Sequence, residues 1–158
     1  MGAKKPAAHS PKLAINAGNL NRKYKVDIGL VKNIARKVLK EIGCAGGLGL
    51  EVQFVDDRAI RTLNGRFKDL DRATDVLSFD LGTRSSVVIS LDTARRNAGI
   101  FGVPIYEEVA RYIIHGILHL FGYDDDTRPN RRKMVTEEDR LLGILCENIN
   151  LSKVLTPR

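Results

Sequence analysis

From Ile105 to Phe121 the chain reads IYEEVARYIIHGILHLF, and its second half leaves almost no polar face. A helix that is apolar all round belongs inside a fold, covered on several sides. This one therefore demands a layer of other elements packed about it. Yet it also carries His115 and His119, two of only three histidines in the chain. Positions i and i+4 lie one above the other on a single helical face. A buried imidazole nitrogen left without a partner costs on the order of 1–3 kcal/mol. One divalent metal satisfies both rings at once, and zinc enzymes of the H-E-x-x-H type use the same spacing. Gly122 offers a helix stop, and Asp124, Asp125 and Asp126 follow it. The returning chain can thus bring a third, oxygen ligand. Two histidines and one carboxylate leave a coordination position for water, as catalytic zinc sites do. A simpler reading makes both histidines core residues with satisfied nitrogens. The pairing with an acidic turn favours the metal.

The rest of the chain supplies the surrounding layers. Leu13 to Ala17 and Leu48 to Val55 alternate apolar and polar residues as half-buried strands do. Asp27 stands before a helix whose apolar face is Ile28, Val31, Ile34, Ala35, Val38, Leu39 and Ile42. Asp56 and Asp57 head a short helix carrying Ile60, Leu63 and Phe67. Two strands follow, Asp75 to Phe79 and Val87 to Ile89. Ser90 caps a brief helix with Asp92 in its first turn, where the helix dipole favours an anion. A last helix is expected from about Arg131 to Asn148, with Leu141, Leu142, Ile144 and Leu145 inward. The order implies an α+β (α/β-like) single domain over residues 12–158: about four strands in one layer, helices packed on it. Residues 1–11 are rich in Ala, Lys and Pro and read as a loose tail.

At 158 residues, 43% hydrophobic and 28% charged, the chain can build an ordinary globular core. No apolar stretch approaches the ~20 residues of a membrane span. The opening lysines have no apolar run behind them, so no secretory signal is expected. Cys44 and Cys146 form no C-x-x-C and imply neither a disulfide nor a cysteine metal site. A reduced, cytoplasmic protein is the expectation. The formal net charge of +7 favours polyanions, nucleic acid first.

One further segment carries chemistry. Asn64 to Phe79 reads NGRFKDLDRATDVLSF and offers Arg66, Lys68, Arg72, Thr74 and Ser78 to a phosphate. By itself it reads as a polar loop entering a strand. Together with HGILHLFGYDDD some 35 residues later it resembles the YbeY-type endoribonucleases, single-metal proteins of ribosomal RNA maturation. The resemblance runs from about Leu48 to Leu145 and includes the step Ile89-Ser-Leu-Asp-Thr-Ala. It implies a mixed four-stranded sheet with about five helices, and a metal at the end of the central helix, in a basic cleft. The family's H-x3-H-x5-H motif falls on His115, His119 and Asp125, with aspartate in place of the third histidine. Carboxylate is an acceptable zinc ligand. Its harder oxygen shifts preference toward other divalent ions. The family's basic residue, usually arginine, falls on Lys68, which cannot clamp a phosphate through two bonds. Ser85-Ser86 replaces the frequent Gly-Asp before the next strand.

The resemblance implies a metal-dependent endoribonuclease, specific for single strands, that serves ribosomal RNA maturation and ribosome quality control. Lys68, His115 and His119 would be its catalytic residues, zinc its expected ion, and ribosomal subunits its partners. Two other readings compete. A zinc metallopeptidase needs a glutamate directly after the first histidine, and that place holds Gly116. A non-catalytic ribosome-assembly protein with a structural metal needs a fourth protein ligand, for which Asp124 or Asp126 is the candidate.

Overall fold

The computed structural model describes residues 12–158; the tail expected over 1–11 lies outside the described residues. The elements run β1 (Ala14–Asn19), β2 (Tyr24–Val26), α1 (Ile28–Glu41), β3 (Gly49–Val55), α2 (Asp57–Lys68), β4 (Val76–Asp80), β5 (Arg84–Ser90), α3 (Leu91–Phe101), α4 (Ile105–Leu120), α5 (Arg128–Asn148) and β6 (Leu155–Pro157). β1, β3, β5 and β4 lie in that order in a mixed sheet. β1–β3 and β3–β5 are parallel and β4–β5 is antiparallel. The fold is α+β, with one mixed four-stranded sheet and five helices.

Side-chain alternation assigns the two faces of the sheet. Val52, Phe54, Val87 and Ile89 join the main core beside Val31, Ile34, Val38 and Leu39 of α1. Val55, Leu77 and Val88 face the other way and cover Ile60 of α2. α4 packs against β4, β5, α1, α3 and α5. That explains why Ile113, Ile114, Ile117 and Leu118 are all fully buried. An all-round apolar helix has found a partner on every side.

Caps account for where the helices begin. The Asp27, Asp56 and Ser90 side chains accept from the backbone N–H groups of Leu30, Ala59 and Thr93. The last helix starts earlier than the expected Arg131. Thr127 caps it by accepting from the Asn130 N–H, and Pro129 fits the first turn. The stretch Ile89-Ser-Leu-Asp-Thr-Ala fastens two helix starts together. The Asp57 carboxylate accepts from Ser90 Oγ at 2.6 Å, from Thr93 Oγ1 at 2.7 Å and from Arg96. Asp92 accepts from the Asp57 N–H at 3.0 Å and from Lys23 Nζ at 2.8 Å. These bonds fix α2 against α3.

β2 and β6 form a small antiparallel pair that the sequence patterning does not announce. Three residues are too few for a period, and their partners lie at opposite ends of the chain. β5 is likewise longer than Val87–Ile89, because pairing to β3 carries it back to Arg84 and pairing to β4 back to Ser85.

Gly116 marks where α4 comes closest to the sheet. A Cβ there would clash with a Val87 methyl and lie 3.1 Å from Val76 Cγ1. Ser78 Oγ donates to the Gly116 carbonyl at 2.8 Å and fastens the same turn. Gly116→Ala gains about 1 kcal/mol of helix propensity. It must also push aside a stiff, buried valine, and overpacking costs typically 1–3 kcal/mol. A net destabilisation of up to about 2 kcal/mol is expected in urea unfolding. Stability equal to or above the parent chain would show that α4 is free to back away from β5.

Candidate metal centre

The chemistry of α4 is gathered on one face. His115 and His119 come from its last turns, half-buried, with ring centroids 4.5 Å apart. The helix ends because Gly122 takes φ 89°, and the Tyr123 N–H returns to the Leu118 carbonyl at 3.1 Å. This turn swings Asp125 back over the two rings. His115 Nε2 and His119 Nε2 stand 2.9 Å apart. Asp125 Oδ2 lies 3.6 Å from the first and 3.8 Å from the second. Among the described residues no fourth histidine, cysteine or carboxylate joins the group. Asp126 accepts from Asn130 Nδ2 at 2.8 Å instead.

These three atoms suit a cation. The circle through them has a radius of about 2.0 Å, which is the length of a zinc–nitrogen or zinc–oxygen bond. Two ring nitrogens and a carboxylate oxygen are all electron-rich. A cation between them would engage all three lone pairs at once.

Glu138 completes the arrangement from α5. Its carboxylate, in a residue 6% exposed, accepts from His115 Nδ1 at 2.5 Å. Arg111 Nη1 donates to its other oxygen at 3.3 Å and to Asp139 at 2.9 Å. With the proton held at Nδ1, the Nε2 lone pair of His115 points at the convergence point. A carboxylate behind a histidine ligand orients the ring and raises its basicity. Burial alone would lower the pKa of His115. The Glu138 hydrogen bond and charge, with Asp75 and Asp125, outweigh burial and hold it above the usual histidine value. His119 is pulled the other way, by burial and then by His115.

Glu138 was not among the residues expected from sequence. Its signal was present, since it falls on the buried stripe Met134, Leu141, Leu142 and Leu145 of α5. A charged residue on such a stripe calls for a partner. Glu138→Ala is expected to weaken metal affinity by roughly 10- to 100-fold, with Glu138→Gln intermediate. Competition against a chromophoric chelator measures this. Unchanged affinity in Glu138→Ala would leave the carboxylate no orienting role.

The remaining expected residues lie on α2 (Arg66 and Lys68), on the loop that follows it (Arg72 and Thr74) and on β4 (Ser78). Ser78 is engaged with Gly116, and Thr74 Oγ1 donates to Asp75 Oδ1 at 3.2 Å. The Arg66 guanidinium lies 5.6 Å from the Phe67 ring centroid, and Arg72 is exposed. Lys68 is exposed at the last position of α2, where it makes no hydrogen bond or ion pair among the described residues. Buried Asn64 fixes the loop beyond it, donating to the Arg72 carbonyl at 3.0 Å. A cavity of about 270 Å³ opens beside His115 and Asp125, and Asp75, Arg111 and Arg131 also line it.

Geometry thus defines a small α+β domain with three side chains at the end of its central helix that could hold a metal ion. The chain matches the family model described as Endoribonuclease YbeY over residues 16–145. It is 41% identical to Endoribonuclease YbeY of Myxococcus xanthus over 72% of this chain, but spans only 42% of that protein. It is 35% identical to Endoribonuclease YbeY of Pelotomaculum thermopropionicum, covering 84% of this chain and 97% of the relative. The relative from Desulforamulus reducens is 34% identical over 86% of this chain and 99% of its own length. The solution structure of TM1509 from Thermotoga maritima is similar with a TM-score of 0.57 and 26% identity, over 86% of this chain and 93% of that one. The chain belongs to the YbeY endoribonuclease family.

Proposed function

We propose that this chain is a metal-dependent endoribonuclease that cuts single-stranded RNA. Its substrate is ribosomal RNA, and its roles are ribosomal RNA maturation and ribosome quality control, with ribosomal subunits as partners. The single observation that carries the reading is the convergence of His115, His119 and Asp125, two of which line the adjoining cavity, in a chain of this family. Zinc is the proposed ion. When bound, it would supply a Lewis acid for a phosphoryl oxygen and lower the pKa of a water toward neutrality. His115, His119 and Asp125 would hold the ion, and Glu138 would keep the His115 lone pair aimed at it. Lys68 neutralises charge developing on the phosphate. Arg66, Arg72 and Thr74 guide the strand, and Ser78 braces the turn between the histidines. Net charge of +7 gives general affinity for RNA that falls steeply with salt.

No helix among the described residues is long and apolar enough to cross a membrane. Cys44 and Cys146 are both free, in keeping with the cytoplasm as the proposed compartment. Gly116 also weighs against a metallopeptidase. The glutamate of H-E-x-x-H would have to occupy a position already pressed onto Val76 and Val87.

The test offers zinc-loaded protein a single-stranded ribosomal RNA fragment, the same fragment as a duplex, and an unstructured polypeptide. Internal cuts in the single strand alone are expected. Cleavage of the polypeptide without the RNA would favour the peptidase. Tight RNA binding and full metal retention with no cleavage would favour a structural metal.

A further inference from the structure

The cavity beside the metal centre has a composition that metal chemistry does not explain. It measures about 270 Å³ and shares His115 and Asp125 with the three-ligand group. Whatever enters it therefore lies against the reacting centre. Most of its wall is nevertheless apolar. Phe101 closes one side from the last turn of α3, and Met134 and Val135 close another from α5. Phe101 remains 65% exposed and Val135 50% exposed. Such residues are unremarkable when scattered singly over a surface, but here they flank one concavity beside a cluster of charged groups. Between them Asn97 is held in one orientation, its Nδ2 donating to the Tyr112 hydroxyl at 2.7 Å. The Asn97 carboxamide oxygen accepts no hydrogen bond among the described residues, so it is left to accept from a ligand. Arg131 spends one N–H on the Asp125 carbonyl at 3.2 Å and has others to donate.

A flat aromatic face and an apolar wall, with the Asn97 oxygen free to accept and Arg131 free to donate among the other charged groups of the lining, suit a planar heterocycle with a polar edge. We propose that this cavity is a nucleobase subsite. It takes one unpaired base of the RNA strand, stacked on Phe101, while the adjoining phosphate lies at the metal. The inference rests on the endoribonuclease reading and deepens it. A base reaches the cavity only by leaving its stack, which is easy in a single strand and costs a few kcal/mol in a duplex. Single-strand preference is thereby built into the wall of the site.

The experiment follows single-turnover cleavage of short single-stranded oligoribonucleotides by the zinc-loaded protein and takes the half-saturating enzyme concentration. One series moves a single abasic ribose along the strand. The parent protein is expected to lose roughly five- to 150-fold in apparent affinity when the abasic position flanks the cut, the range that stacking on an aromatic provides. Phe101→Ala should show a loss of the same size on intact RNA, with unchanged metal content, and no further loss on that abasic strand. Ile100→Ala, altered at a neighbour that is 75% exposed and outside the cavity lining, should behave as the parent. Parent-like affinity of Phe101→Ala for intact RNA would overturn the subsite while leaving the nuclease in place. So would losses from Phe101→Ala and the abasic position that simply multiply. No cleavage of any RNA by the parent protein would remove the endoribonuclease reading, and the subsite with it.

Discussion

Replacing His119 with alanine is expected to strip the protein of its metal and to abolish cleavage. Purified without added metal, the parent chain should carry about one equivalent of a divalent ion, held by His115, His119 and Asp125. His119 is one of the two nitrogen donors of the proposed site. Loss of a residue behind a ligand already weakens affinity by roughly 10- to 100-fold, so loss of the ligand itself should exceed that range. His119 is only half-buried and at the end of α4, so the variant should fold. Elemental analysis alongside a thermal melt separates metal loss from unfolding. A folded His119→Ala protein that retained its full equivalent would show that the ion sits elsewhere.

The second large effect concerns Lys68. Among some 26 lysines and arginines in the chain, one more or fewer phosphate contact changes little. Lys68→Ala should leave RNA affinity within about threefold, since general affinity comes from many spread charges. Cleavage should nevertheless fall by on the order of 10²-fold or more, if the ammonium acts where charge develops in the transition state. Lys68→Arg should be tolerated and could gain from two parallel hydrogen bonds to phosphate. Single-turnover cleavage beside a binding titration distinguishes the cases. Equal losses in affinity and rate would reduce Lys68 to one member of a binding surface. No loss in either would take it out of the site.

What could be read from sequence was what local periodicity encodes. The apolar run from Ile105 announced a buried helix, and its i, i+4 histidines announced a shared face. Gly122 announced the reversal that returns Asp125, whose Oδ2 does lie within 3.8 Å of both imidazoles. Caps at Asp27, Asp56 and Ser90 were legible because each is a local side-chain-to-backbone bond. What could not be read depends on distant elements meeting. β2 and β6 are three-residue strands whose pairing joins residues more than a hundred positions apart. Glu138 meets His115 only because α5 packs on α4, and a charge within an apolar stripe was the sole hint. The Ser78 bond to Gly116 likewise depends on a strand and a helix touching. The reason Gly116 must be glycine has the same origin, since nothing near it in sequence predicts Val76 and Val87 overhead.

The central claim is that a metal held by His115, His119 and Asp125 drives RNA cleavage, and removing and restoring that metal tests it most directly. The protein is treated with a strong chelator, freed of it by desalting, and assayed on single-stranded ribosomal RNA before and after one equivalent of zinc is returned. The account predicts that cleavage disappears with the metal, returns with zinc in the parent chain, and does not return in His119→Ala. Undiminished cleavage by parent protein verified as metal-free would contradict it.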